Sequence, residues 1–122
     1  GYILSPGDVR LPDASFVAKA RVQGNFPDLI TGAPDLAVEV IIPSEATASI
    51  NEKTCLYLNT GAHVVWIIYP DDRFAEIRTA TKTGFHVETI DIDEALTASA
   101  VLSDFELPLS KIFPKSTSSP EA

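Results

Sequence analysis

Leu36-Ala-Val-Glu-Val-Ile-Ile42 is apolar at every position but one and lies between Pro34 and Pro43. Such a run fits a strand covered on both faces. Glu39 interrupts it. Period-two alternation puts Glu39 on one face with Ala37 and Ile41, and turns Leu36, Val38, Val40 and Ile42 to the other. A second β-branched and aromatic run, Val64-Val-Trp-Ile-Ile-Tyr69, stops at the turn signal Pro70-Asp71-Asp72. Between the two, Pro43-Ser44 opens a helical stretch that reaches about Asn59 and ends at Gly61. Ser44 or Ser49 offers an N-cap, and Ser49-x-x-Glu52 matches a capping box. At about 100° per residue, Ala46, Ile50 and Tyr57 share the stripe that packs on a sheet, and Lys53 falls inside that stripe. A strand, helix, strand unit of this length joins parallel strands. The expected fold is therefore α/β (α+β), a mixed β-sheet with a helical crossover.

On the amino side, Gly1 to Ser5 reads as a short strand closed by the turn Pro6-Gly7-Asp8. Val9 to Ala20 reads as a second strand, with Ala14, Phe16 and Ala18 on one face and Asp13, Ser15 and Val17 on the other; Pro12 suits an edge or a strand beginning. The glycines and prolines of Val22 to Pro34 indicate a loop. On the carboxyl side, Phe74 to Thr79 and Gly84 to Ile90 form a hairpin around Thr83-Gly84. The acidic stretch Asp91 to Glu94 is a solvated turn. It leads into a segment ending at Leu107 to Phe113. Lys115 to Ala122, small and polar, is a frayed tail. Residues 1–114 are expected to form a single domain.

The chain has 122 residues, enough for one compact core. Its 9 Lys and Arg against 17 Asp and Glu leave a formal charge of −8, which excludes a basic nucleic-acid coat. A lone cysteine excludes a disulfide framework or a cysteine-rich zinc site, and Cys55 is expected as a buried thiol. No apolar run approaches the ~20 residues of a membrane span, and Gly1 to Arg10 has no signal-type pattern. A soluble, cytoplasmic protein is expected. The sequence contains no Met and begins at Gly1, so a start region is expected to lie outside it.

The carboxylate within the apolar strand is the sharpest chemical clue, because an ionised Glu covered on two sides costs several kcal/mol unless paired. A divalent metal, an ammonium group or a proton would compensate Glu39, and Lys53 is the ammonium nearest by design. Asp13 heads a strand expected beside that of Glu39 and could add a second carboxylate. Two carboxylates and a lysine on adjoining elements suit Mg²⁺ or Mn²⁺ and an activated water. The plainer alternative is an internal Glu39–Lys53 ion pair. Asp35, roughly 13 Å along the strand from Glu39 at about 3.3 Å per residue, is too far to share one metal and suits a strand start or a place behind the metal ligands. His63 and His86 lack metal-ligand spacing, and Trp66 and Tyr69 read as core aromatics. Arg10, Lys19 and Arg21 flank the Asp13 strand and could form a local basic rim.

The order of these segments resembles the Uma2 family, a group placed among the restriction-endonuclease-like PD-(D/E)XK nucleases. The likeness rests on Pro12-Asp13, Asp35-Leu-Ala-Val-Glu39-Val-Ile-Ile-Pro-Ser44, the helix with Lys53 and Tyr57, Gly61 and Val65-Trp66-Ile-Ile-Tyr-Pro70. Val101-Leu102-Ser103-Asp104-Phe105 is similar to the family's closing segment, and the match runs from residue 8 to 113. The resemblance implies a restriction-endonuclease-like sheet. It implies metal ligation by Asp13, Glu39 and the backbone carbonyl of Val40, with Mg²⁺ or Mn²⁺ as cofactor, and DNA phosphodiester hydrolysis by a metal-activated water. Ile41 stands where the usual motif lysine would be, so the resemblance assigns that part to Lys53, which would orient or deprotonate the water or stabilise charge on the phosphate. Ile42, Tyr69 and Ser103-Asp104 depart from the family's Ser, Asp and Pro-Gly. The family ordinarily has elements before the position of Gly1, so the domain is expected to be N-terminally truncated and a homodimer across an exposed edge becomes an expectation. The competing expectation is a catalytically inactive interaction or scaffold module that keeps the fold around a structural Glu39–Lys53 pair.

Overall fold

The computed structural model describes residues 1–22 and 27–113. Its elements are β1 (Tyr2–Ser5), β2 (Asp8–Arg10), β3 (Ala14–Phe16), β4 (Ile30–Thr31), β5 (Leu36–Val40), α1 (Thr47–Asn59), β6 (Val64–Tyr69), β7 (Phe74–Ala80), β8 (Phe85–Ile90), β9 (Ala95–Ala98) and β10 (Leu102–Pro108). The central sheet has five strands in the order β3-β5-β6-β7-β8. β5 and β6 run parallel across the α1 crossover, and every other neighbouring pair in this sheet is antiparallel. This is the mixed α+β architecture expected from the two apolar runs and the helix between them. A smaller sheet, β2-β1-β4, and the β9–β10 hairpin complete the described fold.

The central sheet separates two cores. On the α1 side, Ala37, Ile41, Val65 and Ile67 pack with Ile50 and Tyr57 of the helix and with Tyr2, Leu4 and Ile30 of the small sheet. On the other side, Leu36, Val64, Trp66, Ile68, Ala75 and Ile77 pack with Leu96, Leu109 and Phe113. Alternation along β5 thus feeds both cores, but only its first half is covered on the second face: Val40 is 44% and Ile42 60% exposed. Trp66 is a core aromatic, with its indole N–H donating to the Thr97 carbonyl at 2.9 Å. Tyr69 is only half-buried and donates to Glu76.

Several local expectations are corrected. The strand read over Val9 to Ala20 is broken into β2 and β3 and ends in a 3-10 turn at Lys19–Arg21. The helix starts at Thr47 behind Ala46, with no side-chain cap from Ser44 or Ser49. Ser44 is spent in the turn in which the Glu45 N–H reaches the Ile42 carbonyl, and Ser49 already lies in the first helical turn, where its N–H bonds the Ala46 carbonyl. Ala46 is exposed, and Thr54 takes a buried place beside Ile50 and Tyr57 instead. Cys55 is half-buried rather than buried. The segment after Glu94, expected only as a lead into Leu107 to Phe113, forms the β9–β10 hairpin. Gly61 ends the helix as expected: it sits at φ +127°, a conformation that side-chain-bearing residues rarely adopt. The expected frayed tail, 115–122, and part of the expected loop, at 23–26, lie outside the described residues.

Candidate active site

Register alone brings Asp13 to Glu39. β3 pairs with β5 as Ala14↔Val38, Ser15↔Ala37 and Phe16↔Leu36, so one further step sets Asp13 opposite Glu39 and the next sets Pro12 opposite Val40. Odd residues of β5 direct their backbone groups toward β6, as the Ile41 N–H to Ile68 carbonyl bond of 2.8 Å shows. Even residues therefore face β3. Pro12 has no N–H to offer, and the ladder stops. The Asp13 carboxylate takes over: its Oδ2 accepts the Val40 N–H at 2.7 Å. The Val40 carbonyl, which points the same way, is left without a ladder donor. Asp13 thus closes the strand and is fixed beside Glu39 by the same bond.

Glu39 itself is 7% exposed. From α1, the buried Tyr57 hydroxyl donates to its Oε2 at 2.9 Å, and the Lys53 ammonium stands 3.7 Å from its Oε1. Lys53 is closer to Glu45, in the connection entering the helix, at 2.9 Å. Spacing on the helix explains the convergence, since residues four apart share one face. Burial pushes the Glu39 carboxyl above its ordinary value of 4.5; the Tyr57 hydrogen bond and the Lys53 charge pull it down, and Asp13 and Glu45 push it up again. Lys53 is held above its ordinary 10.5, chiefly by its hydrogen bond to Glu45 and against the opposing effect of burial. It is therefore an ammonium at neutral pH, suited to orienting and neutralising rather than to accepting a proton. Burial and the neighbouring Glu39 also raise the Tyr57 phenol, which keeps it a donor.

The oxygens left over are of the type that a hard divalent cation takes. Glu39 Oε1 accepts no hydrogen bond among the described residues, its nearest partner being the ammonium at 3.7 Å. Among the described residues Asp13 spends only Oδ2, and the Val40 carbonyl lacks its ladder donor. Carboxylate and carbonyl oxygens are the ligands that Mg²⁺ and Mn²⁺ take. Among the described residues no three His, Cys, Asp or Glu side chains form a metal-binding group, so the third protein ligand would have to be that carbonyl.

The remaining sequence candidates lie elsewhere. Asp35 is buried at the start of β5, where its carboxylate accepts the Ala18 N–H at 2.7 Å and an Arg21 bond at 3.3 Å, with His63 at 3.8 Å. That is the strand-start role expected of it. His63 and His86 are exposed. The proposed basic rim is largely neutralised, because Arg10 pairs with Asp8 and Arg21 with Asp35. Glu45 was not anticipated, since a loop residue carries no periodic signal, and Tyr57 was anticipated only as a packing residue. Beside Glu45 a cleft of about 170 Å³ opens, walled also by Asp71 and Asp72. Among the described residues no helix is long and apolar enough to cross a membrane.

A solved structure from Anabaena variabilis ATCC 29413, described as "a putative nuclease belonging to DUF820", is similar to this chain with a TM-score of 0.72 and 19% sequence identity. The match covers 85% of this chain and 59% of that one, so this chain spans less than two thirds of that protein. At such identity the likeness establishes the fold. No curated protein matches the sequence. The model of the Uma2 family, described as "Putative restriction endonuclease", matches residues 1–110. With nine-tenths of the sequence inside that match, and with the fold that the strand, helix, strand unit foretold, the chain belongs to the Uma2 family.

Proposed function

We propose that residues 1–114 form a single nuclease-like domain that hydrolyses DNA phosphodiester bonds with the help of a divalent ion, Mg²⁺ or Mn²⁺. The observation that carries this reading is the buried Glu39 Oε1, without a hydrogen bond among the described residues and with an ammonium 3.7 Å away. Asp13, Glu39 and the Val40 carbonyl would hold the ion, whose chemistry is to lower the pKa of a water and offset charge on the phosphate. Tyr57 fixes the Glu39 carboxylate through its Oε2. The Lys53 ammonium offsets charge that grows on a non-bridging phosphate oxygen as the bond between water oxygen and phosphorus forms and a bridging P–O bond breaks. The water's proton passes to solvent, and the departing oxygen is protonated in turn. Family membership and the nuclease description of the Anabaena protein support the same reaction class.

Lys53→Ala is expected to slow metal-dependent cleavage of plasmid DNA by about a hundredfold, the usual effect of losing one charge-stabilising donor. Chelation of the divalent ion should abolish cleavage. Cleavage that persists at full rate in the variant and in chelator would refute the proposal.

A second reading is favoured by the close Lys53–Glu45 pair of 2.9 Å and by the absence of a three-side-chain metal group among the described residues. In it the fold is a non-catalytic interaction or scaffold module, and the contacts among Glu39, Lys53 and Glu45 are structural. That version takes up no metal.

A further inference from the structure

Lys53 stands between two carboxylates and does not share itself equally. Its ammonium is 2.9 Å from Glu45 Oε2 and 3.7 Å from Glu39 Oε1. Only the first of these is within hydrogen-bond distance. The Glu45 backbone is itself anchored, because its N–H reaches the Ile42 carbonyl at 3.0 Å in the turn that follows β5. Its side chain is 17% exposed, against 30% for Lys53 and 9% for Glu39. The acid in the connection thus receives the shorter contact, and the more buried acid in β5 the longer one.

A lysine close to a single carboxylate would settle on it, forming a charge-assisted hydrogen bond of about 2.7–2.9 Å. An ammonium in that position would occupy Glu39 Oε1 and repel a divalent cation there. Glu45 offers the ammonium the shorter bond, 2.9 Å.

We propose that Glu45 is a positioning residue that draws the Lys53 ammonium off Glu39 and so leaves Glu39 Oε1 open to a divalent cation. The inference rests on the metal-site reading above and adds a residue outside the ligand set. Its action runs through Lys53, which separates it from a simple attraction between a third acid and the cation.

Calorimetric titration of the full 122-residue chain with Mn²⁺ tests it, using the wild type, Glu45→Gln, Lys53→Met and the double variant. Glu45→Gln should weaken Mn²⁺ binding by about tenfold, the low end of what losing the partner of a metal ligand costs. In the Lys53→Met background the same substitution should have no effect, because no ammonium remains to be drawn away. An equal loss in both backgrounds would mean that Glu45 acts on the cation through space. No loss in either would mean that it does not act. Both results overturn the inference and leave the metal site standing. A wild-type chain that takes up no Mn²⁺ overturns the metal site and the inference with it.

Discussion

On the proposed function, Glu39→Gln should remove DNA cleavage and leave the fold at least as stable at pH 7 as before. The expected loss of activity exceeds about a hundredfold, beyond the 10- to 100-fold that loss of a mere partner of a metal ligand costs. The stability half follows from the sign of the pKa shift. Burial places the folded-state value of Glu39 above its ordinary 4.5, so the folded protein releases this proton at a higher pH than the unfolded chain. Its favourable contribution is complete below 4.5 and is lost as pH rises through the folded value. At pH 7 the buried charge is therefore a penalty, which Gln removes while still accepting the Tyr57 bond. Urea unfolding at pH 7 and pH 4 checks this: the wild type should gain on the variant as the pH falls. A variant that is less stable at pH 7 and cleaves DNA unchanged would favour the structural ion pair.

The largest stability effect is expected at Arg78, which stands in β7 and is 4% exposed. Its Nε and one terminal nitrogen bond Glu76 Oε1, and the other terminal nitrogen bonds Asn51 Oδ1 at 2.8 Å and Thr54 Oγ1 at 3.1 Å. The guanidinium carbon also lies 5.1 Å from the centre of the Phe85 ring. Thr54 donates its own hydroxyl to the Ile50 carbonyl, so it can only accept from Arg78. Arg78 therefore ties β7 to α1 and to the edge strand β8. Arg78→Ala takes the paired cation from the Glu76 carboxylate, which keeps only its bond from Tyr69, and the donor from Asn51 and Thr54; it should cost about 3–5 kcal/mol, the usual consequence of breaking a buried pair. A domain of this size has only about 5–15 kcal/mol in all. Arg78→Lys should recover little, because an ammonium lacks the planar fork that reaches strand and helix together. Urea titration measures the loss; a change under about 1 kcal/mol would show that solvent replaces the network.

What the sequence disclosed and what it withheld follow from the range of the interactions. β5, α1 and β6 were legible because each is a local pattern: β-branched runs between prolines, and a helix ending at a glycine. Glu39 stood out as a charge in an apolar strand, and Lys53 as a charge inside an apolar stripe. The break after β2 was not legible, because it depends on a side chain replacing a ladder bond: Pro12 offers no N–H, and Asp13 accepts the Val40 N–H in its stead. β9, Ala95-Leu-Thr-Ala98, has too little strand character to be read without the core it covers. Glu45 and Arg78 were missed for a related reason. Glu45 sits in a loop eight residues from its partner, and Arg78 reads as the polar half of an alternating strand until α1 supplies Asn51 and Thr54.

Anomalous diffraction from crystals of the chain soaked in Mn²⁺ decides whether these oxygens hold a metal ion. A manganese peak is expected, bounded by Asp13 Oδ1, Glu39 Oε1 and the Val40 carbonyl, with Lys53 still on Glu45. Glu39 closed onto Lys53, with no peak at that place, would contradict it.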